Sequence, residues 1–160
     1  MAIPLPEKYM RPEGGIGKLA NYQAVQADTL VAAEAIPYGA PVQATEGEAR
    51  KFQNSFFGVA IADNYVNEIS FDGKDKVGEH AAYKPVAVLR KGSIWVKVTA
   101  DVKENEDATV TAAGFKEAGA DDAVVGSFQS SAQANGLAIL QINLPAAVKI
   151  VKQEGGQANG

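Results

Sequence analysis

The 160-residue chain contains no cysteine. Disulfides, thiol nucleophiles and thiolate metal sites are therefore excluded. The lack of disulfides is compatible with assembly in a reducing compartment. Histidine occurs once, as His80. A Ser/His/Asp triad would have to use it, and no G-x-S-x-G elbow accompanies it. A zinc site would need further nitrogen or sulfur ligands that the chain lacks. No apolar run approaches the length of a membrane span, so no membrane partner is expected. The net charge is −4 with both signs mixed, and no block of Lys and Arg exists to follow a phosphate backbone. A nucleic-acid partner is thus not expected either. Residues 1–7 have neither a basic n-region nor an apolar h-region, and do not read as a signal peptide.

What is present is a pattern that occurs twice. Residues 39–45 (Gly-Ala-Pro-Val-Gln-Ala-Thr) run into Phe57-Gly58-Val59-Ala60. Residues 107–112 (Asp-Ala-Thr-Val-Thr-Ala) run into Val125-Gly126-Ser127-Phe128. The step from Val42 to Val110 equals the step from Gly58 to Gly126. Each half then reaches an apolar run, Val86-Ala87-Val88-Leu89 and Leu137-Ala138-Ile139-Leu140. The first half is longer than the second between these landmarks, and the excess lies in the polar stretch 63–82. An internal duplication speaks for architecture and leaves function open. At this length and with 46% apolar residues, one domain or two half-domains sharing a core is expected.

The organisation reads as an arm, a body and a tail. Residues 1–18 hold Pro4, Pro6 and Pro12, which resist a helix and favour extended backbone. Ile3, Leu5, Tyr9, Met10 and Ile16 make this segment too apolar for plain filler. It is either a loose terminus or an extended arm that docks on another subunit. Residues 19–145 read as a β-barrel or β-sandwich of many short strands. A strand is expected near 29–36, others at 41–45, 55–62, 86–89, 94–99, 108–112, 124–128 and 137–144. Arg90-Lys91-Gly92-Ser93 is expected as a solvated hairpin connection. Residues 146–160 are expected as a largely flexible tail.

The candidate chemistry is thin. His80 sits in the polar insertion and reads as a surface-loop residue. Asp63, Glu68, Asp72, Asp75 and Glu79 could pair for glycoside hydrolysis or calcium binding. Lys74 and Lys76 among them, and the absence of a calcium-loop pattern, favour a solvated loop. Residues 13–19 (Glu-Gly-Gly-Ile-Gly-Lys-Leu) lack the Lys-Ser/Thr ending of a phosphate loop and read as a joint. Trp95 lies on the face opposite Ile94, Val96 and Val98 if strand alternation holds. It is an interface anchor or a residue covered by its own chain. With Tyr65 and Tyr83 it could instead form a stacking platform for glycans.

Three runs carry a resemblance. They are residues 36–42 (Ile-Pro-Tyr-Gly-Ala-Pro-Val), 57–62 (Phe-Gly-Val-Ala-Ile-Ala) and 86–96 (Val-Ala-Val-Leu-Arg-Lys-Gly-Ser-Ile-Trp-Val). With the duplicated second half, the chain resembles the structural cement, or head decoration, proteins of tailed bacteriophages. That resemblance implies a β-barrel or sandwich on the outside of an icosahedral capsid, bridging major capsid protein subunits against internal DNA pressure. It implies a homodimer or homotrimer, no cofactor, no metal and no catalytic residue. The contact residues expected on this reading are Ile3, Leu5, Tyr9, Arg11, Tyr65 and Trp95. The chain is expected on the virion surface after synthesis in the host cytoplasm.

Overall fold

The computed structural model describes residues 15–21, 23–63 and 78–150. In chain order the strands are β1 (Gln26–Ala32), β2 (Ile36–Pro37), β3 (Pro41–Thr45), β4 (Glu48–Lys51), β5 (Ser55–Phe56), β6 (Gly58–Ala60) and β7 (Glu79–His80). They continue as β8 (Pro85–Lys97), β9 (Asp107–Thr111), β10 (Gly114–Glu117), β11 (Gly126–Phe128), β12 (Leu137–Asn143) and β13 (Val148–Lys149). Among the described residues there is no helix, and hence none long and apolar enough to cross a membrane. The architecture is mostly β, as the strand and turn pattern requires.

The first half closes on itself. β1, β4, β3, β6 and β8 follow one another in the sheet, and β8 pairs back with β1. Only the β1–β4 contact is parallel, at Val31–Glu48 and Ala32–Ala49. The result is a five-stranded barrel. The second half uses β8, β12, β11, β9 and β10 in the corresponding order. Its closure is a parallel bridge between Val98 and Phe115.

The registers fix how the halves correspond. Val42 faces Lys51 and Thr45 faces Glu48 in the first hairpin, while Ala108 faces Glu117 and Thr111 faces Gly114 in the second. In the structure Val42 therefore corresponds to Ala108 and not to Val110. Gly58 faces Val42 and Gly126 faces Ala108, so the two glycines still correspond to each other. The hairpins and the glycines thus repeat with different steps. The cause is the connection from β10 to β11 (118–125), which is longer than that from β4 to β6 (52–57). Val59 meets Leu89 and Ser127 meets Gln141, so the extra chain of the first half lies between β6 and β8, where the 63–82 stretch falls.

Both glycines are dictated by close approach. A Cβ on Gly58 would collide with the Leu89 carbonyl, and one on Gly126 with the Gln141 carbonyl. These are corresponding positions in the two halves, each a place where one strand lies against the next with no room for a side chain.

The expected hairpin at residues 90–93 does not form. β8 instead runs unbroken for 13 residues and belongs to both halves. Gln26 pairs with Lys91 but Ala27 pairs with Leu89, so Arg90 is an extra residue, a β-bulge. The bulge shifts the alternation. Val86 and Val88 enter the cluster of the first half, with Ile36, Val42 and Ala60. Leu89, Ile94 and Val96 enter the larger cluster, which joins Phe56 of the first half to Phe115, Phe128 and Leu140 of the second. Gly92, at φ +134°, permits the turn in the strand that the bulge demands. A Gly between two apolar runs resembles a hairpin signal in sequence; the long-range pairing with β1 and β12 decides otherwise.

The β1 strand starts earlier than expected, at Gln26, and ends at Ala32. Beyond β8, the 98–102 stretch is held by single bridges, Val98 to Phe115 and Val102 to Ala132. In the 146–150 stretch, β13 pairs with β5.

Candidate interaction surface

Ile3, Leu5, Tyr9, Arg11 and Tyr65 lie outside the described residues, as do Glu68, Asp72 and Asp75. Trp95 lies in β8, with Ile139 of β12 directly across on one side. On its other side runs the 17–20 stretch: Gly17 N–H donates to the Trp95 carbonyl at 2.8 Å, and Trp95 N–H to the Lys18 carbonyl at 2.9 Å. Ala20 N–H reaches the Ser93 carbonyl in the same way. Trp95 is half-buried, consistent with cover from its own chain on both flanks. The rest of its face is not uniformly open. Ser93 is fully buried, donating from Oγ to Gln129, whose amide in turn donates to Gln141.

His80 is not on the surface. It is 3% exposed, in β7, which pairs with β2. Nε2 sits 2.7 Å from the Ile61 carbonyl and, because a carbonyl only accepts, it is the donor. Nδ1 lies 3.3 Å from Asp63 Oδ2, and Tyr38 packs edge-on against the ring. Burial here follows from the short β2–β7 ladder, which no local pattern announces. The ring clamps residues 61–63 to 79–80, the two ends of the insertion. Burial, and then the Asp63 carboxylate, push the Tyr38 hydroxyl pKa above its usual value, partly offset by a hydrogen bond with Asp63.

Arg90, expected on a solvated tip, is 6% exposed. Its guanidinium lies 3.9 Å over the Phe57 ring and donates from Nη2 (2.8 Å) and Nε (3.3 Å) to the Leu144 carbonyl. Asp28 stands 4.0 Å away. The bulge turns this side chain inward, where it joins β8, the loop before β6 and the end of β12.

The exposed apolar residues fall in several places. Tyr83 is the most exposed, at 82%, and its φ of +65° presents it from a turn just before β8. Trp95 lies near the far end of that long strand, and among the described residues no ring contact joins the two aromatics. A shallow groove of about 150 Å³ runs between Ile16, Tyr38 and Pro41 on one side and Lys97, Ala112 and Ala113 on the other. Val25, just before β1, and Val31, within it, are 41% and 48% exposed. Among the described residues, no group of His, Asp and Glu is placed to hold a metal.

These are features of a body that offers edges, turns and shallow surfaces. A model of the phage structural cement protein family (E217 gp24/Pam3 gp6) matches residues 6–143. The chain belongs to the phage structural cement family. Its role is accordingly a structural, stabilising one in the phage capsid, and it is a protein of the virion. Among solved structures, the N base of head fiber gp8.5 from bacteriophage phi29 is similar at 14% identity. The match covers 75% of this chain and 95% of that one, with a TM-score of 0.48. No curated protein matches the chain.

Proposed function

We propose that this chain decorates the outer surface of the phage head, where it bridges neighbouring major capsid protein subunits and acts without catalysis. Membership of the cement family over residues 6–143 carries the reading. The surface supports it: exposed apolar residues are spread over several sites, which suits many shallow contacts. Such contacts add up when several are made at once on an assembled lattice. His80 supports a non-enzymatic role, since its ring is buried, with Nε2 bonded to the Ile61 carbonyl and Nδ1 turned towards Asp63. Ile3, Leu5, Tyr9 and Arg11, in the part of the expected 1–18 arm that lies outside the described residues, supply a further contact, and Tyr65 in the insertion another. The chain works as a homodimer or homotrimer, a state in which each copy adds its contacts to the same patch of shell.

Electron cryo-microscopy of capsid shells incubated with the protein tests this. Ordered density at regular positions outside the shell, spanning two or more capsid subunits, is the expected result. A bare shell at saturating protein, or density confined to the inner surface, refutes it.

A further inference from the structure

The two halves differ at one sheet edge. In β1 the even-numbered residues face β8: Ala32 N–H donates to the Lys84 carbonyl, and its own carbonyl accepts from Tyr83 N–H. The odd-numbered residues face the other way, as the bonds from Val31 to Gly47 and from Ala33 to Ala49 establish. The backbone groups of Ala27 and Thr29 therefore point outward, ahead of the point where the parallel β4 begins at Glu48.

The repeat supplies the comparison. In the hairpin alignment, which sets Val42 on Ala108, Ala27 and Thr29 correspond to Ser93 and Trp95, and Ala33 corresponds to Thr99. The last pair checks the alignment: Ala33 N–H donates to Ala49, and Thr99 N–H donates to Phe115, both at 2.9 Å. In the second half the outward groups of Ser93 and Trp95 are taken by the 17–20 stretch, through bonds of 2.8 and 2.9 Å. In the first half, among the described residues, nothing takes the corresponding groups of Ala27 and Thr29. Both residues are exposed, and Val25 and Val31 stand exposed on either side.

We propose that this open edge of β1 is completed by an extended segment of a capsid subunit, added as a strand in the place that 17–20 occupies in the second half. The proposal rests on the capsid reading above and names one of its contacts. Strand addition gives affinity through main-chain bonds, with flanking side chains setting fit. A bare edge is a liability in solution that native proteins usually cover. A few backbone groups and two valines are too little to hold two free copies together, since stable dimers bury on the order of 1,000 Å² or more. As one contact among several on a lattice they are sufficient.

Hydrogen–deuterium exchange on the full chain tests the proposal, with decoration-free capsid shells as the probe. In the free protein, the Thr29 amide is expected to exchange fast and the Trp95 amide slowly. On shells, exchange at Thr29 should slow by roughly tenfold or more, the change expected when an open amide becomes protected. Protection already present in dilute free protein means that another part of the same chain fills the edge. Protection that appears with protein concentration alone means that a second copy fills it. Unchanged exchange on saturated shells means that docking lies elsewhere. Each of these overturns the proposal while leaving the capsid reading intact. No binding to shells at all overturns both.

Thr29→Pro is the complementary variant, because it blocks the outward edge and spares the inward bonds of Asp28 and Leu30. It should melt as the wild type does and bind shells at least about tenfold more weakly, a loss in keeping with removal of one hydrogen-bonded contact. Unchanged affinity overturns the proposal. If the variant does not fold, the exchange experiment decides alone.

Discussion

Replacing Gly58 or Gly126 by alanine tests the duplicated architecture directly. At Gly58 the added methyl meets the Leu89 carbonyl and lies 2.7 Å from Val88 Cγ1. At Gly126 it meets the Gln141 carbonyl and lies 3.1 Å from Ile142 Cγ2. In both cases the obstacle is backbone held in a sheet, so relief requires two strands to part. Overpacking of this kind costs about 1–3 kcal/mol, and contact with a fixed carbonyl puts both variants at the upper end. For a chain of this size about 1 kcal/mol moves Tm by about 2–4 °C, so a fall of about 6–12 °C is expected for each variant. Gly47→Ala is the control. It has nothing within 4 Å, but its φ is +83°, so only the left-handed penalty of about 1–2 kcal/mol applies. Thermal unfolding followed by circular dichroism gives the answer. If either variant melts as the wild type does, or if one alone is damaged, the two glycines do not play corresponding roles and the alignment of one on the other is wrong.

Arg90→Met should lower stability by about 2 kcal/mol in urea unfolding, because the Leu144 carbonyl loses both donors in a buried setting; an unchanged midpoint would mean that water replaces the guanidinium without cost. His80→Ala should cost a similar amount, about 2 kcal/mol, by opening the clamp between Ile61 and β7. It should also make cleavage within 64–77 faster in limited proteolysis, and an unchanged cleavage rate would remove the clamp role. The Tyr38 hydroxyl, held above its usual value by burial and Asp63, keeps its proton where free tyrosine has lost it. The folded state therefore binds the proton more tightly than the unfolded chain, so this contribution to stability is present below the unfolded pKa and is lost as pH rises through the folded one. Ultraviolet titration should show a phenol that ionises above the usual tyrosine range; Tyr38→Phe should abolish that late step, and its persistence would assign it elsewhere.

Much of the fold was legible in the residues. Alternation and β-branched runs located β3, β9 and β12 and both parts of β8, since a half-buried strand must alternate. The duplication was visible because the glycines at 58 and 126 sit where a strand permits no side chain, and such a constraint leaves the same letter in both halves. The family resemblance reached the structural role for the same reason: its signals are turns, glycines and strands, which are local.

What the residues could not decide depended on partners distant in the chain. The 90–93 stretch has the composition of a hairpin. Only pairing with β1 on one edge and β12 on the other makes it a bulge in a continuous strand, and that bulge turns Arg90 inward. His80 has polar neighbours in sequence and is buried only because β7 lies against β2. That the hairpins and the glycines repeat with different steps needed the ladders themselves, because an even shift preserves side-chain parity and leaves the apolar pattern unchanged. The open edge of β1 is the furthest from local legibility. Hydrogen bonding at a sheet edge depends on what lies beside it, and the strand's own residues read alike whether the neighbouring place is filled or empty.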